Sequence, residues 1–232
     1  MKIQTIEQAA NRADINLTPK AAAQIQIFIT RLLEKNKVMN LTAITEEEEI
    51  ANSHLLDSFL LIPYLRGHSF IDVGTGAGFP GMLVKLLRPE LKVVLLDSTK
   101  KRINFLEELI EELGLSEISA VHGRAEELAH KREYREQFDT AVARAVSSLD
   151  ILVELCLPLV KPGGRFLAMK GKEDELELAA KAIPLLGGGK ATAKHYLLPG
   201  TDMHRAMVIV DKKKSTKQRY PRSFAAIKKS PL

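Results

Sequence analysis

Residues 72–81 read Asp-Val-Gly-Thr-Gly-Ala-Gly-Phe-Pro-Gly, with glycine at 74, 76, 78 and 81. Glycines at this density permit positive φ and let a ligand come close to the main chain. The apolar run SFIDV precedes the loop, and GMLVKLLRP, which reads as a helix closed by Pro89, follows it. The loop therefore joins a strand to a helix at the strand's carboxyl end, where open α/β sheets bind their ligands. Asp97 ends the next apolar run, KVVLLD, and sets a carboxylate beside the same crevice, suited to the hydroxyls of a ribose. Residues 76–81 match G-x-G-x-x-G, with Asp97 about the right distance beyond, so this spacing alone admits a dinucleotide. A later run, RFLAMKG, brings Lys170 to the same edge of the sheet, where polar residues tend to serve a site. Lys170 is thus a candidate for substrate contact. Lys100, Lys101 and Arg102 open the helix after Asp97 and suit nucleic-acid phosphates, or equally a solvated basic face.

The elements that hold these residues follow from the apolar pattern. Thr18-Pro19 is an N-cap and first-turn pair ahead of AAAQIQIFITRLLEKN, and Thr45 with Glu48 has capping-box spacing ahead of EEEEIANSHLLDSFLLIPYL. Two helices are expected there, joined by VMNLTAI. From residue 69 onward, apolar runs alternate with helices, which predicts a doubly wound, mostly parallel α/β sheet of seven strands. HYLLPG and HRAMVIVDK read as a closing hairpin. The expected organisation is a helical extension over 1–66, a ligand-binding α/β domain over 67–211 and a basic tail over 212–232. His54 and Asp57, three apart on one helical face, are expected to form a structural link between the N-terminal helices and the sheet, the alternative being a pair that gates the ligand pocket or touches nucleic acid.

Composition narrows the function. The 232 residues are 45% hydrophobic and 27% charged, sufficient for one full core with a small appendage. No apolar run spans a bilayer and the N-terminus lacks a secretory pattern, so a cytoplasmic, membrane-free protein is expected. The one cysteine, Cys156, lies in ILVELCLPLV and reads as core, and the six histidines lack ligand spacing, so no metal is expected. The net charge is +5, yet residues 212–232 carry eight Lys and Arg and no acid, which leaves −3 for residues 1–211. A basic tail on a mildly acidic body suits an electrostatic arm for phosphates, or a solubilising tail, and it looks disordered in isolation.

Three features favour S-adenosylmethionine over NAD for the glycine loop. Asp72 extends the glycines to D-x-G-x-G-x-G, a pattern that resembles class I methyltransferases. Lys161-Pro-Gly-Gly164 resembles the turn those enzymes carry before their fifth strand. The chain is also expected to close after the hairpin, as they do, without a second catalytic domain. More specifically, the sequence resembles the RsmG (GidB) family of bacterial small-subunit ribosomal RNA methyltransferases over about residues 15–222. The resemblance is carried by NKVMNLTAIT (36–45), HLLDS (54–58), DVGTGAGFPG (72–81), LLDSTKKRINFL (95–106), GRAEE (123–127), FDTAVARAVSSL (138–149) and MKG (169–171).

That resemblance implies methylation of a guanine N7 in 16S rRNA, at position 527 near the decoding site, by a monomer acting on 16S rRNA or the small subunit. It implies that Asp72, Gly74, Gly76, Gly78 and Phe79 surround the methionine and ribose of S-adenosylmethionine. Asp97 and Ser98 then meet ribose and adenine, Ala125 and Glu126 border the adenine, and Arg144 lies beside the methyl group and the incoming base. Arg219 and Arg222 of the tail are candidates for RNA phosphates. The sequence departs from Gram-positive relatives after Tyr220-Pro221-Arg222: a glycine and second proline are replaced by Ser223-Phe224-Ala225-Ala226-Ile227. N7 of guanine has an in-plane lone pair, so such a site needs orientation and electrostatic fit more than a general base. The absence of Pro-Pro and Pro-Cys pairs speaks against exocyclic-amine and cytosine-C5 chemistry. Arg144 suits guanine, whose O6 and N7 both accept from an arginine, although it could instead close a salt bridge. The competing expectations are a small-molecule methyltransferase, a non-catalytic ribosome-assembly factor and an NAD-dependent oxidoreductase. A lid rich in aromatics is missing for the first, with no Trp and four Tyr in the chain.

Overall fold

The structure is a computed structural model that describes all 232 residues. Seven strands form one sheet: β1 (Ser69–Val73), β2 (Lys92–Asp97), β3 (Ile118–His122), β4 (Phe138–Arg144), β5 (Val160–Lys170), β6 (Gly188–Leu197) and β7 (His204–Lys212). Their order is β3-β2-β1-β4-β5-β7-β6. The first five are parallel, and β7 runs antiparallel to both β5 and β6. The order reverses between β1 and β4, so the crevice at their carboxyl ends is the switch point at which such sheets hold ligands.

Helices cover both faces. On one face lie α1 (Ile3–Arg12), α2 (Pro19–Met39), α5 (Gly81–Leu87) and α6 (Lys100–Glu112). With them is a broken helix made of α3 (Glu47–Ile50), a π-helical turn at Ala51–Leu56, and α4 (Asp57–Phe59). The other face carries α7 (Ala125–Leu128), α8 (Leu149–Cys156), α9 (Leu176–Ala179), α10 (Ala182–Leu185) and α11 (Phe224–Lys229). Strand alternation feeds two separate cores. In β5, Leu167 and Met169 join the core under the N-terminal helices, while Phe166 and Ala168 join the opposite one. The N-terminal helices thus share a core with α5 and α6.

Local sequence explains how α2 starts and stops. Thr18 Oγ1 accepts from the Ala21 N–H at 3.2 Å, with Pro19 in the first turn. At the other end Asn40 adopts φ 50°, and Asn36 Oδ1 accepts from the N–H groups of Leu41 and Thr42. Asn is among the few side chains that visit this left-handed region readily, so NKVMNLT is a helix stop.

Three expectations are corrected. The capping box at Thr45 and Glu48 does not form: the N-cap is Glu46 without a side-chain cap. Neighbouring Glu47 accepts from the Lys2 N–H and Thr5 Oγ1 instead, tying this helix to α1. Lys161-Pro-Gly-Gly164 is not a turn ahead of β5 but lies within it, at a shift in register against β4. The tail is not a loose arm. Lys212 is buried, its ammonium donating to the Leu157 carbonyl at 2.7 Å and to Thr216 Oγ1. Burial lowers its pKa to about 8. Tyr220 and Ile227 are buried as well, so the segment packs on the sheet's second face.

Candidate functional site

A cleft of about 290 Å³ opens at the carboxyl ends of β1, β2, β3 and β4. Val73 and Gly74 line it from β1, Leu96, Asp97 and Ser98 from β2, and Gly123 to Glu126 from the end of β3. Ala145 and Val146 line it from beyond β4. Gly74 has φ 75°, and a Cβ there would sit 2.6 Å from Val146 Cγ2, so the close approach of these two loops requires glycine.

Asp72 organises the glycine loop from beneath. Its side chain is fully buried, and Oδ2 accepts from Thr75 Oγ1 at 2.7 Å and from the Gly81 N–H at 2.8 Å. Burial raises its pKa to about 6 against the lowering effect of those two bonds. Asp72 therefore shapes the loop from the core side and does not line the cleft. Gly78 and Phe79 also face inward: Phe79 stacks on His54 at 4.3 Å between ring centroids and lies 4.9 Å from Phe28.

Asp97 does stand at the cleft. Its Oδ1 accepts from the Thr99 N–H at 2.8 Å, and Oδ2 accepts from the Gly76 N–H at 2.9 Å and from Arg102 at 3.3 Å. A carboxylate has about four lone-pair sites, so one remains for a ribose hydroxyl, and the long Arg102 contact can yield a second. Arg102 lines the same cleft, and its Nε–H is buried without a hydrogen-bond partner. An orphaned donor beside a carboxylate, glycine main chain and small residues is a set that fits the ribosyl part of S-adenosylmethionine. Lys100 and Lys101 lie on the adjoining exposed turn, where Lys101 donates to the Met39 carbonyl and Lys100 faces Glu107 at 4.0 Å.

Arg144 leaves the end of β4 in the opposite direction. It donates to the Ser53 carbonyl at 2.8 Å and to His54 Nδ1 at 3.2 Å, lies 3.8 Å from Asp57, and sits 5.7 Å above the Phe79 ring. Because the guanidinium donates, His54 Nδ1 is the acceptor, and its Nε2–H faces Thr42 Oγ1 at 3.3 Å. Burial, then the positive charge of Arg144, lowers the His54 pKa to about 4, so the ring is neutral. Asp57 is held between Arg144 and Arg205, which is 3.6 Å away, and burial pushes its pKa upward. His54 and Asp57 thus meet through Arg144. The link between the N-terminal helices and the sheet is this whole cluster, mounted on a π-helical turn.

Lys170 pairs with Glu175 at 2.9 Å and donates to the Ser147 carbonyl at 3.0 Å. Glu175 in turn accepts from the Leu149 N–H at 2.6 Å. Lys170 therefore pins the loop that carries Ala145 and Val146 and does not line the cleft. Arg222 is bound by Glu154, whereas Arg219 is exposed beside the Tyr220 ring. The structure brings together Gly74, Asp97, Ser98, Ala125, Glu126 and Arg102, and sets Arg144, Phe79 and Lys170 in the walls behind. Sequence reading missed Arg124, Val146 and Phe224 on the cleft, and Glu154 beneath it. The last had a signal: Glu154, flanked by Val153 and Leu155 in the apolar helix LDILVELC, needs a buried partner.

The model of the family described as rRNA small subunit methyltransferase G matches residues 21–195. A ribosomal RNA small subunit methyltransferase G from Alkaliphilus metalliredigens is 48% identical over 217 residues, covering 90% of this chain and 91% of that protein. The protein of the same name from Clostridium botulinum (strain Loch Maree) is 43% identical, covering 98% and 97%. Among solved structures, a putative O-methyltransferase from Klebsiella pneumoniae superposes with a TM-score of 0.54 at 15% identity, covering 81% of this chain and 90% of that one. M. capricolum TrmK, solved with S-adenosyl-homocysteine, gives 0.51 at 14% identity, covering 66% of each. At such identities the structures share the fold alone.

Proposed function

This chain belongs to the rRNA small subunit methyltransferase G family, and from that membership we propose that it methylates N7 of a single guanine in 16S rRNA. It is an S-adenosylmethionine-dependent methyltransferase of small-subunit ribosomal RNA. The finer reading, guanine N7 at the 527 position, rests on the family resemblance, and the arrangement at the cleft agrees with N7 chemistry. Bound in the cleft, S-adenosylmethionine would supply an electrophilic sulfonium methyl group and leave as S-adenosylhomocysteine. Guanine N7, with an in-plane lone pair and no proton, would need no deprotonation to accept the methyl group. The chain therefore needs no general base at the reacting atoms, and Arg144 at the end of β4 and Lys170 at the end of β5 are already committed to other partners. The work left to the protein is orientation and exclusion of water.

In this reading Asp97 holds the ribose, Gly74 and Gly76 let the main chain approach the ligand, and Ala125 and Glu126 border the purine. Asp72 and Phe79 keep the loop in shape from below. Arg144 and Lys170 act as positioning residues: one fixes the N-terminal helices against β4, the other fixes the loop at Ala145–Val146. Lys100, Lys101 and Arg219, all exposed, are the side chains left for RNA phosphates. Residues 1–66 then form a helical support, and 67–211 form the methyltransferase unit. The observation that carries the proposal is the Asp97 carboxylate beside the orphaned Arg102 Nε–H in a glycine-lined cleft at the sheet's switch point.

The test is to incubate the protein with radiolabelled S-adenosylmethionine and small subunits from cells lacking this methyltransferase, then to cleave the RNA chemically at N7-methylguanine. Label at one guanine, with scission there, is the expected result. Label on an exocyclic amine or on a ribose contradicts the N7 assignment, and no label on RNA contradicts the substrate.

A further inference from the structure

Phe224 is the one aromatic side chain that lines the cleft, and it comes from the far end of the chain. Its position is imposed from both sides. Two residues earlier, Arg222 gives its main-chain N–H (2.9 Å) and its guanidinium (2.9 and 2.6 Å) to Glu154, a carboxylate buried in α8. Three residues later, Ile227 is buried in the second core. The approach to Arg222 is strapped as well. Arg135 donates to the carbonyls of Tyr220 and Thr216, and His130 Nε2 meets the Pro221 carbonyl at 2.8 Å.

A ring held this way gives up little conformational freedom when a flat ligand packs on it. Phe224 is only half-buried, and the Arg124 guanidinium lies 5.8 Å from its ring centroid. The same cleft is lined by Gly123 and Ala125, both small residues. An aromatic face, small residues and a nearby acceptor in Glu126 are the requirements of a purine subsite.

We propose that Phe224 forms the aromatic wall of the adenine end of the methyl-donor site, which makes the C-terminal segment part of that site. The inference rests on reading this cleft as the S-adenosylmethionine site. Within the segment, Arg222 then serves the cleft through Glu154 and is not available to RNA.

The chain contains no tryptophan, so Phe224→Trp places a single reporter in the cleft. S-adenosylhomocysteine and adenosine are titrated into wild type, Phe224→Ala and Phe224→Leu by calorimetry, and into Phe224→Trp by fluorescence. Loss of one base–aromatic stack weakens both ligands about tenfold in the Ala and Leu variants, and both ligands change the Trp emission. Leu retains apolar volume without a stacking face, so recovery of wild-type affinity in Phe224→Leu assigns the residue to packing and overturns the proposal. Unchanged affinity in Phe224→Ala together with an unmoved Trp emission overturns it as well. Failure of wild type to bind S-adenosylhomocysteine removes the reading of the cleft itself, a result that no Phe224 variant is needed to recognise. Should Phe224→Ala unfold, the Leu and Trp variants give the answer alone.

Discussion

The carboxyl ends of β2 and β4, each closed by a charged residue, face two different surroundings. On the cleft side, Asp97 and Arg102 keep unfilled hydrogen-bonding capacity beside main chain and small residues. On the other side, Arg144 is filled by Ser53, His54 and Asp57 and covered by Phe79. Access to the cleft, not saturation, separates the two: Asp97 and Arg102 line it, whereas Asp57 and Asp72, each with one unpaired buried oxygen, do not. The difference separates binding from positioning among residues that all lie at strand ends.

Breaking the joint gives the largest effect. Arg144→Ala leaves Asp57 buried with only the Arg205 contact at 3.6 Å and His54 without its donor. A loss of about 3–5 kcal/mol in folding stability is expected, read by denaturant unfolding. A loss below 1 kcal/mol places Arg144 in the substrate site instead.

Protonation tests the same joint. The folded His54 pKa of about 4 lies below its ordinary value, so its contribution to stability is fully present above about pH 6.5 and is lost as pH falls toward 4. The loss amounts to about 3 kcal/mol. Asp72 works in the opposite sense, since its raised pKa of about 6 makes the folded state favour the protonated acid below that pH. The useful quantity is therefore the difference between wild type and His54→Gln, which should vanish below pH 4 and grow through pH 6.5. A pH-independent difference contradicts the neutral-His54 joint.

The cleft side responds in binding more than in folding. Asp97→Asn is expected to weaken S-adenosylhomocysteine by about 2 kcal/mol, roughly thirtyfold, the value of hydrogen bonds to a charged group. Its thermal midpoint should fall less than that of Arg144→Ala. Equal losses in both variants would erase the comparison. The smallest effect belongs to the rim. Lys100→Ala is expected to lower the slope of log affinity for RNA against log salt by about 0.7–0.9, the release of one counterion, with donor affinity unchanged.

Much of this was legible in the sequence because it is local. The strand–glycine loop–helix unit, Asp97 at the end of β2 and the doubly wound sheet each follow from patterns a few residues long. What escaped is the contact between distant segments. Arg144 meets the helix at residues 53–57 because a π-helical turn re-aims it, and no spacing rule places a π turn. Phe224 reaches the cleft because Arg222 finds Glu154 across 68 positions of chain. In the tail, a run of eight basic residues without acids hides that one of them, Lys212, is core and another is paired. Charge counting sees the run, whereas burial of the partner decides its role.

The most direct measurement is a crystal structure of the protein with S-adenosylhomocysteine bound at saturation. The account predicts the ribose on Asp97, the purine between Ala125 and Phe224, and Arg144 still bonded to Ser53 and His54. A ligand seated away from Asp97, or Arg144 swung out of its joint to contact it, would contradict the division between cleft and joint.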